Sequence, residues 1–294
     1  MSARKPWVPP VGLALWTALL LTSCAAVSPA PEPAAPSSAV PLRDYIIYSN
    51  TVWSGDLLVE RPVIVARTAT LTVAPGTRVY FDLPEPAADK DRKPWVLVQG
   101  ALVAIGSGER PISFAPVKAT RNEWDDMIFI EGAKEAHLAY CTFAQGPWGL
   151  HIHDTPADVT HCEFRGNYGG VRFQGGRVVL RGNRFLDNQV GVRCLKASPV
   201  VEENHFSGNL TAIFFREGVT GAVLRRNNFD NREYDVKLGE GQATDVDATG
   251  NWWSPGKDGG SGRRIYDAGV DAALGRVQVE PALAAPWSPE GGGR

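Results

Sequence analysis

Cys141-Thr142-Phe143, Cys162-Glu163-Phe164, Asn183-Arg184-Phe185, Asn204-His205-Phe206, Asn227-Asn228-Phe229 and Asn251-Trp252-Trp253 are six versions of one step. The first four start 21 residues apart, and the last two follow after 23 and 24. A period of this length marks a solenoid, in which each repeat is one coil touching only its neighbours. Equivalent side chains then fall into columns. Phe143, Phe164, Phe185, Phe206, Phe229 and Trp253 should form a continuous aromatic stack. Asn183, Asn204, Asn227 and Asn251 should form an internal amide ladder that satisfies backbone groups at a turn.

Within each coil the residues nine to eleven beyond the Cys/Asn position read as a strand: Leu150-His151-Ile152, Val171-Arg172-Phe173, Val192-Arg193-Cys194, Ile213-Phe214-Phe215 and Val236-Lys237-Leu238. Alternation with period 2 turns the flanking residues inward and the middle one outward. A second strand precedes the step, with Leu138, Val159, Leu180, Val201 and Leu224 facing inward. Gly149, Gly170, Gly191 and Ala212 read as turn markers just before a strand, where the backbone bends sharply or is crowded, and Asn167, Asn188 and Asn209 as residues tolerant of turn geometry.

These residues resemble the right-handed parallel β-helix family, the pectin-lyase-like superfold. The N-terminal half extends the resemblance. Ala69-Thr70-Leu71-Thr72-Val73-Ala74-Pro75-Gly76-Thr77-Arg78-Val79-Tyr80-Phe81 looks like the first coil, Gly100-Ala101-Leu102 with Pro111-Ile112-Ser113-Phe114 like the next, and Trp124-Asp125-Asp126-Met127-Ile128 like another. The implied fold is an all-β, single-domain solenoid of about nine to ten coils over residues 42–253. Residues 254–294 would be a C-terminal capping tail, with Trp252, Trp253 and the stretch 265–283 closing the far end. The charged, proline-rich residues 83–94 read as a protruding loop.

The chain's 294 residues include 30 basic and 32 acidic ones, a balance that argues against a nucleic-acid binder. At the N-terminus Arg4 and Lys5 precede an apolar stretch, residues 11–21, that is too short for a stable membrane span. It ends in Leu21-Thr22-Ser23-Cys24, which resembles a bacterial lipobox. Residues 1–24 therefore read as a lipoprotein signal peptide with lipid attachment at Cys24, an ordinary secretory signal being the alternative. The Ala25 that follows implies, by resemblance, an outer-membrane location in the cell envelope. Residues 25–41, nearly all Ala, Pro and Ser, read as an extended tether.

The outward column His151, Arg172, Arg193, Phe214 and Lys237 is the candidate ligand-binding strip, cationic with a ring for stacking on a sugar. The resemblance implies polysaccharides as substrates, cleaved by clustered Asp residues or eliminated with calcium ligands and a basic proton abstractor. Neither set is apparent, and the acidic trio Glu123, Asp125 and Asp126 reads as a solvated turn edge. His151 and His153 lack a third ligand, so no metal and no cofactor is expected. Cys141 and Cys162 occupy equivalent slots, where a disulfide and a pair of buried thiols both fit; the thiols are the expectation. Cys194 points inward without a partner. The expectation is a lipid-anchored, non-catalytic module that binds acidic polysaccharide or another envelope component. A polysaccharide lyase or glycoside hydrolase, and an envelope assembly component, are the alternatives.

Overall fold

A computed structural model of the chain describes residues 38–43, 45–82, 95–121, 123, 125–255 and 262–289. They lie in one compact unit, Ala34–Arg294. The signal segment with Cys24, residues 25–37 of the tether, the loop 83–94 and Trp124 fall outside the described residues.

Every described element is a strand, and all pairings are parallel. Two ten-stranded sheets and one eight-stranded sheet run along the chain, each taking one strand per coil. The Phe-bearing strands Cys141–Ala144, Glu163–Arg165, Arg184–Leu186 and His205–Ser207 belong to the first sheet. Trp148–His153, Gly169–Gln174, Val190–Leu195, Thr211–Arg216 and Tyr234–Leu238 belong to the second, and Glu135–Ala139, Ala157–Thr160 and Val178–Arg181 to the third. Register is in phase throughout: Phe143 pairs with Phe164, Phe164 with Phe185, and Phe185 with Phe206. A slip of one residue would turn the whole apolar set outward, so core burial fixes this alignment.

From Tyr140 to Glu217 each coil turns three corners, and a residue with positive φ stands at each. Tyr140, His161, Gly182, Glu203 and Arg226 mark one corner, and Gln145, Gly166, Asp187 and Gly208 the next. Asp154, Gly175, Lys196 and Glu217 mark the third. At the first two corners the residue after the left-handed one is typically an asparagine, and this is where two amide ladders form.

In the first ladder the Asn183 backbone N–H and Nδ2 both donate to Asn204 Oδ1, at 2.9 and 3.0 Å, while Nδ2 also donates to Val159 O. Asn204 repeats this towards Asn227, and Asn227 towards Asn251. The second ladder corrects the sequence reading. Asn167, Asn188 and Asn209 are fully buried and linked in the same way, with Asn209 Nδ2 donating to Asn231 Oδ1 at 2.8 Å. They hold adjacent corners together, and the residue before each carries the turn geometry.

The aromatic stack runs as expected, with centroids 5.0 Å apart from Phe143 to Phe164 and 4.6 Å from Phe229 to Trp253. Phe114 extends it by one coil at 4.7 Å from Phe143. Gly149, Gly170 and Gly191 are not at turns: they are buried residues inside second-sheet strands. A Cβ on Gly170 would lie 2.6 Å from Gly191 O and 2.8 Å from Phe185 Cδ1, so crowding between coil and stack demands glycine there.

Cys141 and Cys162 are free, buried thiols standing where later coils have asparagine. The Cys141 N–H donates to Cys162 Sγ at 3.4 Å, a weaker version of the amide rung. The neighbouring Cys162 side chain, followed by burial, holds the Cys141 thiol well above its usual pKa. Strand pairing also reaches into both flanks. Val40–Pro41, at the end of the segment read as tether, pairs with Asp56–Val59, because Val40 sits beside Leu57 in register. Ile265–Tyr266, in the tail, adds a rung to the second sheet beside Tyr234–Leu238.

Candidate functional site

The five candidate residues lie on the outer face of the second sheet in one unbroken register: His151 beside Arg172, Arg172 beside Arg193, Arg193 beside Phe214, Phe214 beside Lys237. Phe129 precedes His151 and Tyr266 follows Lys237 in the same column. Parallel strands stand about 4.8 Å apart, so neighbouring side chains in this column touch.

The arginines are held rather than solvated. Arg172 Nη2 donates to Asp126 Oδ2 at 2.7 Å, and both side chains are largely buried, at 17% and 9% exposure. Asp126 was expected to be solvated. It instead opens the strand Asp126–Glu131, in register with Trp148, and this places its carboxylate between Arg172 and His151. Trp148 is the shared platform, with the Arg172 guanidinium 5.3 Å and the Arg193 guanidinium 5.0 Å from its ring centroid. Gly169 makes room for it: a Cβ there would lie 2.1 Å from Trp148 Cε3. The indole N–H donates to Glu123 O at 3.0 Å, while the Glu123 carboxylate stands 3.9 Å from Arg193. Tyr168 lies near the Glu123 carboxylate, and burial, then Glu123, raise its pKa. Burial lowers that of Arg193.

Further along, Phe214 lies between Arg193 and Arg216, each 5.8 Å from its centroid. Lys237 Nζ sits among three rings, 4.9 Å from Tyr234, 5.3 Å from Tyr266 and 5.5 Å from Phe214. These cation–π contacts fix the charges in place at the cost of little conformational freedom on binding.

At the other end Phe129 stacks on His151 at 4.4 Å, with Trp95 stacked behind it at 5.7 Å. His151 Nδ1 lies 3.1 Å from Asp126 Oδ2, and its Nε2 lies 2.8 Å from His153 Nε2. Burial, and next the neighbouring His151, lower the pKa of His153. Among the described residues four buried side-chain polar atoms lack a partner, and three of them are here: Asp126 Oδ1, Arg172 Nε and Arg193 Nε. Unsatisfied groups gathered in one cluster point to function, since each costs roughly 1–3 kcal/mol when buried.

The sequence reading thus located the column but missed its support: Asp126, Glu123, Trp148, Tyr168, Tyr234 and Tyr266. One signal was available for Asp126. Carrying the coil register back from Trp148-Gly149-Leu150-His151 aligns it with Asp126-Met127-Ile128-Phe129.

No curated protein and no solved structure shows significant similarity to the chain. Residues 111–252 match the family described as a right handed beta helix region, and these residues hold most of the rungs that carry the outward column. With its strands wound coil after coil into three parallel sheets, the chain is a right-handed parallel β-helix protein.

Proposed function

We propose that the outer face of the second sheet binds acidic polysaccharide, in an envelope protein held to the membrane by lipid at Cys24. The observation that carries the binding reading is the alignment of Arg172, Arg193, Phe214 and Lys237 on consecutive coils, with rings interleaved between the charges. Guanidinium groups pair with carboxylate or sulfate, aromatic faces stack on sugar rings, and the regular rung spacing suits a ligand that repeats its charge. Asp126 and Glu123 offset part of the positive charge near Arg172 and Arg193, but Lys237 is surrounded by rings.

The Arg172→Ala/Arg193→Ala double variant is expected to bind polyuronate or sulfated glycan about 10–100-fold more weakly, with a shallower salt dependence. Calorimetric titration, with circular dichroism to verify folding, reads this directly; unchanged affinity in a folded variant would remove the reading. For the anchor, the lipobox at Leu21-Thr22-Ser23-Cys24 is the support. Cys24→Ser should move the protein from the membrane pellet to the soluble fraction, and a variant that stays in the pellet would count against lipid attachment.

A further inference from the structure

The two ends of the solenoid are finished differently. At the far end the tail folds back on the last coils, with the Leu283 N–H donating to Asn251 O at 2.9 Å and Leu274 and Val277 packed on the core. At the near end Val40–Pro41, Ile46–Ile47 and Thr51–Trp53 are each the terminal strand of their sheet, and among the described residues no strand pairs with their outer edges. An open solenoid end leaves strand edges and apolar side chains without a neighbour. Nine large hydrophobic side chains are exposed among the described residues, and five of them belong to this first coil: Val40, Tyr45, Ile46, Tyr48 and Val52. Tyr48 is 71% exposed and Val52 67%, too much for core residues that merely graze the surface. Val52 also borders a cavity of about 240 Å³ lined by Leu42, Ile47, Trp53 and Leu57.

We propose that this end of the solenoid docks on the phospholipid bilayer, with Tyr45, Ile46, Tyr48 and Val52 seated at the level of the headgroups. This rests on the lipid anchor at Cys24 proposed above and adds a second membrane contact, made by the folded body itself.

The length of chain before the first coil selects this occupant. Cys24 lies sixteen residues before Val40, and a segment of that length reaches roughly 50 Å when fully extended. Lipid at Cys24 therefore confines this end of the molecule close to the bilayer. At the effective concentration of a short tether, on the order of millimolar, a weak surface affinity is enough to hold the contact. The tether cannot cover the coil by itself. Residues 25–37 hold Val27 among Ala, Pro, Ser and a single Glu, which gives nothing to match five exposed apolar groups.

The residue types suit the headgroup region. Tyrosine has an apolar ring and a polar tip, which is why it gathers at membrane interfaces. The Arg61 guanidinium lies 5.3 Å from the Tyr45 ring centroid and Arg43 lines the cavity, so each can lay an apolar stem on the surface and keep its charge in water. Charge is not the driving force. Arg43 and Arg61 are each next in sequence to a carboxylate, Asp44 and Glu60, and Asp56 is paired with Arg78 at 2.6 Å, so zwitterionic lipid is a sufficient partner. The open strand edges set the depth. Their backbone groups cannot enter hydrocarbon without partners, whereas water and phosphate oxygens satisfy them among the headgroups.

The test places a nitroxide on the lipidated full chain through Ser49→Cys, an exposed position between Tyr48 and Val52, and through Val270→Cys as the reference; Cys141, Cys162 and Cys194 are buried and stay unlabelled. With the protein in phosphatidylcholine vesicles, the label at 49 is expected to be protected from a water-soluble nickel relaxant several-fold more than the label at 270. Combining Tyr45→Ser, Ile46→Ser, Tyr48→Ser and Val52→Ser should remove that protection while the lipid keeps the protein on the vesicles, with circular dichroism to verify folding. Equal exposure of the two labels in the membrane-bound native chain overturns the docking and leaves the anchor standing. Equal protection at 49 in the Cys24→Ser chain without vesicles would mean that another segment or a second copy covers this end, and overturns it too. A native chain that does not sediment with the vesicles overturns anchor and docking together.

Discussion

Asn204→Ala is expected to destabilise the protein by roughly 3–5 kcal/mol, although the change removes only a small amide far from either end. Asn204 Oδ1 accepts from the N–H and Nδ2 of Asn183, and Asn204 Nδ2 donates to Leu180 O and to Asn227 Oδ1. The whole side chain is 1% exposed. Alanine leaves the Asn183 N–H orphaned where no solvent reaches, at about 1–3 kcal/mol, and breaks three further bonds worth about 0.5–1.5 kcal/mol each. The damage should couple along the ladder. In a double-mutant cycle with Asn183→Ala the two losses should fall short of additive by about 0.5–3 kcal/mol, because both substitutions remove the same rung. Urea denaturation followed by far-ultraviolet circular dichroism checks this; independent effects would show that the amides act as separate turn residues.

Phe185→Ala should cost about as much, roughly 3–5 kcal/mol, by another route. Phe185 is fully buried and stacks on Phe164 at 5.0 Å and on Phe206 at 4.7 Å, within 6° of parallel on both sides. Its ring also fills the space that Gly170 leaves open. Truncation opens a cavity between two rings whose positions are fixed by their own strands, so little collapse can refill it. Phe185→Leu keeps most of the volume and should cost distinctly less. Thermal or urea denaturation of the pair gives the comparison. Equal losses would mean that ring stacking, rather than filled volume, dominates the column.

The two substitutions probe what was legible from the chain alone. Phe185 and Asn204 each recur at the coil period, and the structure puts them where that period requires. Repeats of this kind are readable because each contact joins residues one period apart, and the same local choice is made again in the next coil. The errors came where one residue type serves two purposes. Asn188 reads as a turn former by its conformational tolerance, yet it is fully buried and its amide spans coils. Gly170 reads as a bend or a crowded point before a strand; it sits within the strand, and the reason is crowding, since it yields space to Phe185. Composition does not separate a glycine needed for φ from one needed for room.

The amino-acid sequence on its own determined the solenoid, its aromatic stack, its first amide ladder and the outward order His151, Arg172, Arg193, Phe214, Lys237. Hydrophobic alternation and a constant period leave almost no other way to bury the apolar side chains. Tertiary structure alone decided what that column can do. Asp126 meets His151 across 25 positions and Arg172 across 46, and Trp148 supports two arginines from later coils only because Gly169 has no side chain. Such contacts depend on which rotamer each side chain takes over its neighbours, a choice made by packing between coils and carried by no periodic pattern.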